Sequence, residues 1–429
     1  MSASVLFVGS HPIGFPNATG QTLASLYRDI SDDDLVQYCY RLNGTNDRGF
    51  PLAIESAVAP LDAALRSPIH MLRKFRGEGT RPALQANGLN DAIRRTDLGR
   101  TERQWRDIRA LADLSWVRVP NRTLHEIKKR GPRVIHSLLG NGRMIRLTIE
   151  LSRRLNLPVV PHFMDDWITS LYSSGELSGR ARVRVNGLFE QVLRRSPALL
   201  AIGEAMAEEY SRRYSRPCFV AGNGVDLASF ETKPQEGNSP KRLVYVGGLH
   251  LGRAEVLLSI ARAVDKAGID WKVAVHTTDA DERRVRGLEG SELIEWAGEL
   301  PISGVPAALR TADALLLAES LTPEIANYTR LSVSTKVPQY LAARRAIVAV
   351  GPENQASLRA MVEYGGEVFI AHGLDDKALA PLSRFLLTVG RETSREFPTK
   401  FLEKNMSETF LSTLEQAAQV PLEQWRSGR

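Results

Sequence analysis

The sequence predicts an α/β protein made of two doubly wound, parallel-sheet domains, and three observations lead there. The chain has 429 residues, about three times the usual domain length, so two large domains are expected. Short apolar runs rich in β-branched residues recur between longer amphipathic segments. Such runs, apolar on both faces, suit parallel strands covered by helices on either side. Finally, residues 233–241, which include Pro234, Gly237 and Pro240, form a polar stretch between two series of these runs and read as a linker.

The first series opens with Val5, Leu6, Phe7 and Val8. An amphipathic segment follows at 21–30, where Leu23, Leu26, Tyr27 and Ile30 repeat at i, i+3, i+4 and i+7 and predict a helix. Further strands are predicted at 134–136, 158–160 and 199–202. The second series comprises 243–246, 273–275, 314–317 and 347–350, and the stretch 401–425 reads as a closing helix.

Composition narrows the class. A hydrophobic content of 43% with 24% charged residues is that of an ordinary globular protein. Two cysteines, Cys39 and Cys218, provide neither a disulfide framework nor a cysteine zinc site. The first residues lack the basic and apolar regions of a secretion signal, and no apolar run approaches the roughly 20 residues of a membrane span. A cytoplasmic protein is expected. Lys plus Arg exceeds Asp plus Glu by 7, but residues 63–133 alone hold 17 Lys or Arg against 7 Asp or Glu, so the rest sums to about −3. That region is either a solvated helical insertion or a basic surface for anionic headgroups or an anionic acceptor, which would place the protein at the inner face of the cell membrane. No nucleic-acid motif accompanies it.

Three segments carry chemistry. Residues 198–210 followed by Asn223-Gly224-Val225-Asp226 and Phe230 are the first. The second, 243–255, is a strand, a turn with Gly247 and Gly248, and a helix start bearing Arg253. In the third, 331–352, Ser334 is placed to cap a helix whose first turn holds Lys336 and Pro338. A helix N-terminus with free N–H groups and a lysine attracts anions, glycines let a ligand approach the backbone, and an arginine clamps a diphosphate in bidentate fashion.

Together these segments resemble the GT-B glycosyltransferases of the retaining, family 4-like type. The resemblance implies two Rossmann-like doubly wound parallel-sheet domains facing a cleft: an acceptor domain at 1–232, onto which the C-terminal helix 400–429 packs back, and a nucleotide-sugar domain at 241–398. It implies donor contacts from Gly20, Gly247, Gly248, Arg253, Ser334 and Lys336. The sequence departs from the pattern at two places in the second domain. Gln339 replaces a glutamate that accepts from the ribose hydroxyls, and Leu331 replaces an earlier glutamate, for which Glu319 and Glu324 are the nearest substitutes. In the first domain, the family's His-Asp aligns on Met164 and Asp165, with His162 and Asp166 as groups that take over part of the histidine's work. Hence His162, Asp165 and Asp166 are the catalytic candidates, and His136 is a further strand-end histidine with a structural role as its alternative.

The implied activity is transfer of a sugar from a nucleotide-sugar donor to a glycan or lipid-linked acceptor with retention, in cell-surface polysaccharide or glycoconjugate synthesis. No cofactor and no metal are expected. The alternatives are a nucleotide-sugar epimerase of the same fold, and a non-catalytic GT-B scaffold in a polysaccharide assembly complex.

Overall fold

A computed structural model describes residues 4–40, 42, 47–55, 58–61, 100–231, 238–390 and 396–420. The chain divides into two compact units, 1–222 with 406–429, and 223–405. The division follows Gly222, ten residues before the expected boundary at 232. The reason is local: Val225 pairs with Leu402 in a parallel bridge, and a Cβ on Gly224 would lie 2.4 Å from the Cα of Glu403, so the 223–226 segment is bound into the second unit. Most of the expected linker, 233–237, lies outside the described residues, as do 63–99 of the basic stretch.

Unit 1 holds seven strands: β1 (Val5–Gly9), β2 (Leu35–Cys39), β3 (Phe50–Ala53), β4 (Val134–Ser137), β5 (Val159–Phe163), β6 (Leu199–Ala201) and β7 (Cys218–Val220). They pair in parallel in the order β3-β2-β1-β4-β5-β6-β7. Unit 2 repeats the scheme with β8 (Lys241–Val246), β9 (Trp271–His276), β10 (Ile294–Trp296), β11 (Ala314–Ala318), β12 (Ala346–Val350) and β13 (Val368–Ala371), ordered β10-β9-β8-β11-β12-β13. Each order grows outward from a central strand in both directions, the doubly wound arrangement. The central strands β1, β11 and β12 are buried along their whole length, which is why their sequences are apolar on both faces.

This topology fixes where a ligand belongs. In an open α/β sheet the crevice lies beyond the carboxyl ends of the strands where the order reverses. That point is β1/β4 in unit 1 and β8/β11 in unit 2.

The helices that frame these points have readable starts. Helix α1 (Ala18–Leu26) is capped by Asn17, whose side chain accepts from Gly20 N at 2.7 Å, and it buries Leu23 and Leu26. Such a cap contributes about 1 kcal/mol. Helix α2 (Arg100–Asp113) precedes β4, and α3 (Gly142–Leu155) follows it under an Asn141 cap on Met144 N at 2.9 Å. In unit 2, α4 (Arg253–Lys266) follows β8 and α5 (Lys336–Ala343) precedes β12. The last helix, α6 (Glu403–Gln419), belongs to unit 1 from Met406 onward, where it buries Met406, Phe410 and Leu414.

Candidate functional site

The donor-site candidates of unit 2 gather at its switch point. Strand β8 ends at Val246, and the chain turns through Gly247 and Gly248 before α4 begins at Arg253. Gly247 has φ +137° and Gly252 φ +69°, conformations that side chains other than glycine's strain to adopt. Three contacts brace the turn: the Tyr245 hydroxyl donates to Gly248 O at 2.7 Å, Leu249 N donates to Asp281 Oδ2 at 2.9 Å, and Gly247 N donates to His276 O at 2.9 Å.

Lys336 enters from α5. It is only 9% exposed, and its ammonium lies 5.1 Å from the centroid of the Tyr245 ring, a cation–π contact, and beside Gly247. No carboxylate of the described residues pairs with it. Burial, together with the neighbouring Arg253 charge, pushes the Lys336 ammonium down to about 7, while Glu319 pulls the other way. Arg253 sits at the first position of α4, with its guanidinium 3.5 Å from the Glu319 carboxylate, and both side chains are largely buried. Glu319 follows the last residue of β11, so the ion pair spans β8 and β11 where the strand order reverses.

Glu319, expected as a substitute for the earlier glutamate that Leu331 replaces, is the carboxylate that orients Arg253. Ser334 differs from expectation: the N-cap of α5 is Thr335, and Ser334 Oγ accepts from Lys336 N at a long 3.4 Å while Ser334 N donates to Ser357 Oγ at 2.9 Å. Gln339 is half-buried one turn after Lys336, as its spacing requires, and Leu331 is buried core. Asn223 supplies an unforeseen clasp, its side-chain amide donating to Thr335 O at 2.8 Å and tying the segment after the first unit to the start of α5.

The unit 1 candidates fare differently. His162 is fully buried, with Nε2 2.7 Å from Ala221 O and Nδ1 3.2 Å from His136 Nε2; His136 Nδ1 is in turn 2.8 Å from the Tyr27 hydroxyl. A carbonyl only accepts, so His162 Nε2 carries a proton and its Nδ1 accepts from His136, which leaves His136 Nδ1 to accept from Tyr27. Burial holds both imidazoles neutral, His162 down to about 4 and His136 well below its ordinary value. Phe410 of α6 packs 5.1 Å from the His136 ring. These histidines are core, so the catalytic role expected of His162 is corrected: all its ring nitrogens are used inside the unit.

Asp166 is likewise committed. It is 2% exposed, accepts from the Tyr210 hydroxyl at 2.6 Å and lies 3.7 Å from the Arg213 guanidinium. Asp165, half-buried two residues beyond β5, keeps its place at a strand's carboxyl end. Gly20 has a local purpose: a Cβ there would stand 2.1 Å from Phe15 O, so the glycine lets the β1–α1 loop fold onto the helix start. Tyr245 and Asp281, which shape the cationic turn, were missed by sequence reasoning because one looks like strand core and the other lies far downstream with no spacing signal. Among the described residues no group of three or more His, Cys, Asp or Glu is arranged to hold a metal ion, and no helix is long and apolar enough to cross a membrane.

Neither a protein-family model nor a curated protein matches the chain. Solved structures do. The chain is similar to a glycosyltransferase from Rickettsia africae, with TM-score 0.51 at 11% identity over 99% of this chain and 98% of that one. It is also similar to HepE of Anabaena, solved in complex with UDP and glucose, with TM-score 0.51 at 12% identity over 99% and 97% of the two chains. At such identities the likeness shows the fold, and the fold is GT-B.

Proposed function

We propose that the protein is a glycosyltransferase that moves a sugar from a nucleotide-sugar donor to a glycan or lipid-linked acceptor with retention of configuration. One observation carries the reading: an ammonium with no carboxylate partner and an oriented guanidinium, Lys336 and Arg253, lie buried together beside a glycine-rich turn at the unit 2 switch point. Glu319 answers only one of these two cations, and the remaining buried positive charge is unfavourable until a further anion joins it. A diphosphate answers that need, because its oxygens accept from Lys336, from Arg253 and from N–H groups at the start of α4.

The chemistry follows from the same groups. In transfer, the bond between the anomeric carbon and the diphosphate oxygen breaks, and negative charge grows on that oxygen. Lys336 and Arg253 stabilise it in a water-poor setting, where such a contribution is large. The acceptor hydroxyl adds to the anomeric carbon from the same face and passes its proton to the departing phosphate. Gln339, one turn from Lys336, offers an amide to the ribose in place of a carboxylate. In unit 1, we assign a catalytic role to Asp165, at the carboxyl end of β5.

The HepE likeness, a GT-B protein holding UDP and glucose, supports a nucleotide sugar as the donor class. Incubation with a panel of nucleotide sugars tests the proposal: the protein should bind one and transfer or slowly hydrolyse its sugar, and Lys336→Ala should abolish this. Conversion of the donor sugar without acceptor would indicate an epimerase instead. Equal, near-zero rates of wild type and Lys336→Ala would indicate a scaffold.

A further inference from the structure

We infer that helix α2 and the turn after it form a docking face for an anionic lipid surface. Several positions of the helix are committed to the fold. Asp113 pairs with Arg143 at 2.6 Å and accepts from Tyr172 at 3.1 Å, Asp107 accepts from Leu177 N at 2.7 Å, and Ala110 and Ala112 are buried. Two of its acids are thereby consumed within the fold. Other positions stay open: Trp105, Ile108 and Leu111 follow at i, i+3 and i+6, with Trp105 45% and Leu111 51% exposed, and Trp116, just past the helix, is 60% exposed. These are the two exposed tryptophans among the described residues.

Exposed basic groups accompany these apolar residues in the same stretch of chain. Arg103, Arg118 and Arg122 are exposed, and the next helix, Asn121–Lys129, ends in exposed Lys128 and Lys129. An aqueous surface does not ordinarily collect large apolar side chains in one place. Tryptophan and leucine beside arginine fit the headgroup boundary of a bilayer, where indole sits at the interface and arginine meets phosphate. Charge complementarity selects an anionic bilayer: the 63–133 stretch carries the whole positive excess of the chain. A lipid surface is also where a lipid-linked acceptor resides, but docking is independent of sugar transfer and is read without turnover.

The test uses the full chain with vesicles of phosphatidylcholine and of a phosphatidylcholine/phosphatidylglycerol mixture. Expected are cosedimentation with the anionic vesicles alone and quenching of tryptophan emission by brominated phosphatidylglycerol. Trp105→Ser with Trp116→Ser should cut partitioning roughly 10-fold or more and remove the quenching. Arg103→Gln with Arg118→Gln and Arg122→Gln should cut partitioning roughly 100-fold. Both variants change exposed positions, and unchanged thermal denaturation verifies that they fold. The proposal is overturned by absence of vesicle binding, by binding that neither variant weakens, or by tryptophans that iodide fails to reach in vesicle-free protein, which would show another part of the chain covering the face.

Discussion

The ammonium of Lys336 occupies the space that a side chain at position 247 would need: a Cβ on Gly247 would lie 2.8 Å from Lys336 Nζ and the same distance from Cε. The glycine's φ of +137° adds backbone strain to any replacement. Gly247→Ala should therefore displace the cation while the sheet persists. Titration with nucleoside diphosphates should show affinity reduced roughly 10-fold or more, with a melting temperature lowered by a few degrees. Full affinity in the alanine variant would remove Lys336 from the site.

Lys336 also ties stability to pH. Its folded value near 7 lies below the ordinary 10.5, so between those limits the unfolded chain holds the extra proton, and stability rises with pH across that window. The penalty of a buried charge is fully present below pH 7. Lys336→Met should thus raise stability most at pH 6 and progressively less toward pH 10, as measured by urea denaturation at a series of pH values. An equal gain at every pH would contradict the assignment.

Glu319 orients Arg253 and raises the proton affinity of Lys336. Glu319→Gln should weaken diphosphate binding roughly 10-fold at pH 7. It should also move the pH above which binding declines to a lower value, because Lys336 then loses its proton sooner. A binding profile that weakens without moving would leave Glu319 with a packing role only.

The Tyr27–His136–His162–Ala221 chain predicts acid sensitivity of unit 1. Both imidazoles are held below the ordinary histidine value, so below about pH 6.5 the unfolded chain takes up protons first and stability falls as pH drops toward 4. His162→Ala should lower stability by about 2–4 kcal/mol through a cavity and orphaned partners, yet leave turnover of the folded fraction near wild type. Asp165→Asn should do the reverse. Steady-state rates normalised to folded protein distinguish the two.

What the sequence revealed depended on whether a residue's surroundings are local. The central strands were legible because burial on both faces writes itself into runs such as Ala314–Ala318. The outer strands Phe50–Ala53 and Cys218–Val220 were not, since each is short and only partly buried. Lys336, Gly247 and Arg253 were named as candidates because helix starts and glycine turns are sequence-local features. His162 was misjudged for the opposite reason: a histidine in a strand reads alike whether it meets ligand or core, and its network reaches Tyr27, 109 residues before His136, and Phe410 in the last helix. The Arg253–Glu319 pair needed the strand order β8-β11, which no spacing discloses.

The central claim is that unit 2 holds a nucleoside diphosphate on Lys336 and Arg253. Isothermal titration of UDP, GDP and ADP at pH 8, in two buffers of different ionisation enthalpy, tests it most directly. One nucleotide should bind with uptake of up to one proton, since Lys336 is largely neutral before binding and charged after it, and Lys336→Met should weaken binding roughly 30-fold or more and abolish the uptake. Binding of none of the three, or binding of equal strength and proton stoichiometry in wild type and Lys336→Met, would contradict it.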